Sequence, residues 1–209
     1  MTITKLLTMF AAAGAVLVGP LAVNAQGAPP ASIDPTTVTA GDYKLESTHA
    51  RVLWQVSHMA FSEWFGDFSG ATGTAHFDPA NAAANSVEIA IPTGSVSTTN
   101  TKLDGELKSA DWFDAAAFPA ITFKSKAVRF TGSGTADVVG DLTFHGVTRP
   151  ATLKVKFRAV GANVMSKHYT VGFDASTSIK RSDFGVAKNV PVVGDQVDIT
   201  ISAPFEKSS

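Results

Sequence analysis

The sequence predicts an all-β protein, a barrel or a sandwich of about eight strands, with one helical insertion near residues 101–117. Three observations carry that reading. Apolar and polar residues alternate with a period of two through most of the chain. Gly, Pro, Asn and Asp punctuate the alternation at short intervals. Strands never alternate with amphipathic helices, as the βαβ units of a parallel sheet require.

The alternation is clearest from Ala136 to Val160. Val138, Gly140, Leu142 and Phe144 fall on one face, and Asp137, Val139, Asp141, Thr143 and His145 on the other. After a short Gly/Pro-bearing turn, Leu153, Val155 and Phe157 alternate with Thr152, Lys154, Lys156 and Arg158. One dry and one wet face is the signature of a half-buried antiparallel hairpin.

The other elements follow in order. Lys5 followed by the apolar run Leu6–Val23, with small residues up to Ala25, reads as a secretory signal peptide, residues 1–25. Residues 26–40, rich in Pro, Ala and Thr without an apolar period, read as a flexible spacer, and the folded domain as 41–206. Tyr43–Glu46 is a short strand. Arg51–Met59 is another, with Val52, Trp54, Val56 and His58 sharing a face. Ala60–Phe65 reads as an aromatic-rich connection, and Asp67–Phe77 as a strand interrupted by glycines. Val87, Ile89 and Ile91 mark the next strand. Leu103, Leu107 and Trp112, spaced among charges, mark the helical insertion, with Ser109 a cap for the turn at 111–114. Ile121 and Phe123 open a strand that continues to Phe130. Tyr169, Val171, Phe173 and Ile179 define one face of a later strand, residues 180–194 a long loop, and Val197, Ile199 and Ile201 the last strand.

Composition narrows the chemistry. The chain has no cysteine, which excludes thiol catalysis, thiolate metal sites and disulfides. Its formal charge is −1, and −2 once Lys5 leaves with the leader, so nothing favours nucleic acid. The five histidines form no HxH or HExxH pair, and neither a GxSxG nor a phosphate-binding glycine motif is present. No metal site and no catalytic residue is expected. Fourteen Phe against two Tyr is a skewed choice that supplies apolar area without hydroxyls. An eight-stranded barrel lined in this way is either filled by its side chains or holds one small ligand, and periodicity leaves that choice open.

Several separate blocks then carry a family resemblance: YKLESTHARVLWQVSHMAFSEWFGDFSG, FDPANAAANSVEIAIPTGSVSTTN, LKSADWFDAAAFPAITFKS, GDLTFHGVTRPATLKV and IKRSDFGV. In this order, from about Gly41 to Phe205, they resemble the YceI-like family of secreted bacterial proteins. The resemblance implies an extended, lipocalin-like antiparallel barrel. It implies no enzyme and no cofactor. Its long pocket would hold a polyisoprenoid or an isoprenoid quinone, carried, stored or sequestered in the periplasm. The expected pocket lining is Val52, Trp54, Val56, Phe68, Phe118, Ile121, Phe123, Leu142, Phe144, Val171 and Phe173, with Phe184 from the last block. His58, His145, Arg181 and Asp183 are the expected polar contacts near an opening, Arg181 and Asp183 alternatively pairing to pin their loop. The partners expected are a long-chain isoprenoid lipid, a membrane redox protein such as a b-type cytochrome, and a second copy of the chain. Two rival readings stay open: an accessory of stress response or electron transport acting through a membrane partner, and a lipid-modifying enzyme with His58 or His145 as base.

Overall fold

The computed structural model describes residues 31–208, so the expected leader and the first residues of the expected spacer lie outside it. Its strands are β1 (Ala31–Ser32), β2 (Gly41–Leu45), β3 (Arg51–His58), β4 (Ser62–Phe68), β5 (Thr72–Phe77), β6 (Ser86–Pro92), β7 (Ala120–Gly132), β8 (Thr135–Phe144), β9 (Val147–Ala162), β10 (Tyr169–Lys180) and β11 (Val193–Lys207). One helix, α1, spans Thr101–Lys108.

Ten of these strands make eight staves. β2 and β3 both pair antiparallel with β11, at 205–207 and 193–202 respectively, so they are one stave broken by a turn. β4 pairs with β3 and β5 with β2, forming a second broken stave. Gly70, at a φ of 68° that suits glycine, sits in its break. β6, β7, β8, β9, β10 and β11 complete the ring, and β10 pairs with both β9 and β11 to close it. The protein is therefore a closed antiparallel barrel rather than a sandwich. Ala60–Phe65, expected as a connection, lies largely in β4. Aromatics on both of its faces hide the alternation, with Trp64 turned inward and Phe65 60% exposed.

Two ends can be distinguished. At the floor, residues 31–40 are ordered structure, which corrects the expected spacer for this part. β1 pairs with the end of β9, Asp34 caps a 3₁₀ turn at Pro35–Thr37, and Val38 is buried. Tyr169 Oη accepts from Thr39 N and donates to Thr37 O, both at 3.0 Å. Phe77, Phe157, Phe173 and Phe205 pack above this strap, with ring centroids 4.9–6.3 Å apart.

At the opposite end, the rim, the β3–β4 turn, the β8–β9 turn and residues 181–193 come together. Among the described residues, β4 has one bridge on its outer edge, Asp67 to Ser97, and residues 93–119 cover the rest of that side. Asn100 Oδ1 caps α1 through the N–H groups of Lys102 and Leu103, both at 3.2 Å. Ser109 caps the other end of α1 rather than opening a second helix: its hydroxyl and its N–H both donate to Glu106 O. Leu107 and Trp112 then turn inward against Phe68, Ile121 and Phe144.

Candidate functional site

A cavity of about 780 Å³ runs between these two ends. It is lined mainly by the inward-facing residues of the staves. Val52, Trp54 and Val56 come from β3, Ile89 and Ile91 from β6, Ile121 and Phe123 from β7, and Leu142 and Phe144 from β8. Leu153 and Val155 come from β9, Phe173 and Ile179 from β10, and Ile199 and Ile201 from β11. The volume lies within the range of small-molecule sites, and the alternation that builds a half-buried strand is what makes the wall apolar. Leu103, Leu107, Trp112 and Phe113 of the insertion close one side near the rim.

Of the expected lining, Val52, Trp54, Val56, Phe68, Ile121, Phe123, Leu142, Phe144 and Phe173 do face this cavity. Three residues do not. Val171 is fully buried in the floor, packed with Val38, Val160 and Phe205, because its stretch of β10 lies below the cavity. Phe118 leaves the barrel and packs on the outside of the β8–β9 turn. Its ring takes the space a Cβ would need at Gly146, whose φ of 72° favours glycine in any case. Phe184 is buried against Phe144 behind the wall.

The expected polar contacts divide in the same way. His58 lines the cavity. His145 does not: it occupies the β8–β9 turn at a φ of 49°, its ring 4.8 Å from Phe118 and its Nδ1 3.2 Å from Phe184 O. It ties that turn to the loop after β10. Arg181 reaches the cavity but is only 5% exposed, and it donates to three carbonyls: Gly194 O at 2.8 Å, Val186 O at 2.8 Å and Val193 O at 2.9 Å. Burial pulls its pKa below the ordinary arginine value, and Asp195 opposes that shift. Asp183 is exposed on the outer surface and is not the pairing partner. Asp195 instead accepts Ser182 N at 2.9 Å and Ser182 Oγ at 2.8 Å. Burial alone would raise the Asp195 pKa, but the Ser182 hydrogen bonds and the charges of Arg181 and Lys180 hold it below the usual carboxylate range. The loop is pinned by the carbonyls that Arg181 holds and by the Asp195–Ser182 hydrogen bonds, not by the expected Arg181–Asp183 pair.

Trp64 was missed because β4 was not read as a strand. Its indole and that of Trp54 carry buried Nε1–H groups without an acceptor among the described residues. A buried donor left unpaired costs about 1–3 kcal/mol. Among the described residues, no three His, Asp or Glu side chains could share a metal ion.

Residues 43–205 match the model of the YceI-like domain. The chain belongs to the YceI-like family. It is 37% identical over 168 residues to Protein YceI of Escherichia coli, covering 79% of this chain and 87% of that relative. Among solved structures, BcnA of Burkholderia cenocepacia superposes with a TM-score of 0.70 at 28% identity, over 77% of this chain and 98% of BcnA. A polyisoprenoid binding domain from Saccharophagus degradans superposes with a TM-score of 0.61 over 79% of this chain and 98% of that domain. At 16% identity it shares the fold alone. The YceI-like barrel expected from the sequence blocks is the barrel observed.

Proposed function

We propose that this YceI-like protein is an exported, non-catalytic lipid binder that holds a long isoprenoid chain along the barrel axis. The observation that carries the reading is the continuous, predominantly apolar cavity between floor and rim. The Saccharophagus degradans domain of the same fold is named for polyisoprenoid binding, which supports the reading. Each methylene moved from water into such a wall gains about 0.8 kcal/mol, so twenty buried carbons give roughly 16 kcal/mol gross. Lost motion and chain ordering remove much of that, which leaves micromolar to nanomolar binding within reach. Aliphatic and phenyl groups dominate the wall, which suits transport, storage or sequestration better than catalysis. In this reading the periplasm is its compartment and a membrane protein loads or unloads it.

The test is to express the full chain with its own leader, purify it from the periplasm and extract it with organic solvent. Mass spectrometry is expected to find an isoprenoid lipid near one per chain, and added isoprenoid quinone to raise the melting temperature of the stripped protein. Absence of both a stoichiometric lipid and a thermal shift would refute the carrier reading.

A further inference from the structure

We propose that His58, Trp64 and Trp54 form a head-group subsite that takes a neutral hydrogen-bond acceptor, a carbonyl oxygen, on the end of the bound apolar chain. This rests on the lipid-binding reading above and adds where the head lies and what chemistry it carries.

All three residues belong to the inward face of the β3–β4 hairpin. Trp54, Val56 and His58 alternate along β3, and Trp64 lies directly across from Val56 on β4. The His58 and Trp64 rings are 6.0 Å apart. All three line the cavity. Trp54 is 9% exposed, and the Nε1–H groups of both indoles are buried and donate to nothing among the described residues. An indole nitrogen can only donate, so its complement is an acceptor oxygen. His58 is half-buried and its imidazole has no hydrogen-bond partner among the described residues, and its ring N–H adds a third donor. The third tryptophan is different: Trp112 Nε1 donates to Glu106 Oε1 at 3.2 Å. Native proteins seldom leave buried donors unpaired, and two on one wall of a ligand-sized cavity point to the ligand as the missing partner.

The same wall argues against a charged head. Burying a phosphate calls for paired cations. The cavity-lining cations are Arg51, Lys102 and Arg181. Arg51 is paired with Asp67, Arg181 is committed to three loop carbonyls, and Lys102 lies exposed on α1. Among the described residues, no lysine or arginine that lines the cavity is left both buried and unpaired beside the indoles. The head therefore sits near the rim, against β3 and β4, and the tail runs to the floor.

The test compares three chain-matched ligands on the stripped protein: an isoprenoid quinone, the corresponding polyisoprenoid hydrocarbon and the polyprenyl phosphate. The quinone is expected to bind tightest. Trp64→Phe, which removes only the donor's ring, is expected to weaken the quinone roughly fivefold to tenfold, about the worth of one hydrogen bond, and to leave the hydrocarbon within about twofold. In the unmutated protein the nitrogen-15 indole resonances of Trp54 and Trp64 are expected to move downfield with the quinone and not with the hydrocarbon, with Trp112 as the internal control. Equal weakening of both ligands, tightest binding of the phosphate, or unmoved indole resonances would overturn the subsite while the lipid-binding reading stands. Failure of all three ligands to bind would overturn both.

Discussion

Tyr43 shows how one side chain can report on the floor. It is fully buried, and its hydroxyl donates to Thr39 O at 2.5 Å. Burial, and then the neighbouring Tyr169, push its phenol up to about 12. The neutral form is therefore favoured more in the folded chain than in the unfolded one, where a tyrosine titrates near 10. The stability this group contributes is fully present below pH ~10 and is lost as pH rises through about 12. Melting curves of the wild type and Tyr43→Phe between pH 8 and pH 12 test it. At pH 8 the variant is expected to be less stable by about 1 kcal/mol, the usual worth of one hydrogen bond. As pH climbs past ~10 the wild type is expected to lose that advantage. A gap independent of pH would mean that the phenol is not the group titrating.

At the scale of elements, the strap over the floor is held by hydroxyl and backbone hydrogen bonds more than by apolar area. Tyr169→Phe removes the oxygen that joins Thr39 N to Thr37 O. The expected cost is about 1–2 kcal/mol, with faster proteolysis within 31–40 and little change elsewhere. Unchanged protease sensitivity would show that Val38 alone secures the strap. This mode of attachment also explains why the strap was not legible in the sequence. One buried valine among Pro, Thr and Ala makes no period, and a bond to a tyrosine some 130 residues away leaves no local mark. β4 was illegible for the opposite reason, since aromatics on both faces erase the alternation. β8 and β9 were legible because one face is apolar and the other carries cross-strand ion pairs, Asp137 with Lys154 at 2.8 Å and Asp141 with Lys126 on β7 at 2.7 Å. Exposed pairs of this kind add little stability each, but they mark which face is wet.

At the scale of the whole molecule, a period of two tells which residues point inward and nothing about what they meet there. Val171 and Phe173 share a strand and a face, yet one is sealed in the floor and the other lines the cavity. Their heights along the axis decide this, and height depends on how eight staves stagger around a ring, which no local pattern records. Phe123 is the position where filled core and ligand wall can be told apart. It is 6% exposed, on the cavity side of β7. Ligand at 100 times its dissociation constant stabilises a protein by about 2.7 kcal/mol, and a chain of this size gains ~2–4 °C per kcal/mol. Reloading the stripped wild type is therefore expected to raise its melting temperature by roughly 5–10 °C. Phe123→Trp narrows the bore, so that rise is expected to shrink by more than about half, while the stripped variant melts within ~3 °C of the stripped wild type. If the stripped variant instead melts far lower, the larger ring has no empty space to enter. Phe123 is then packing against protein, and the wall at that height belongs to the core.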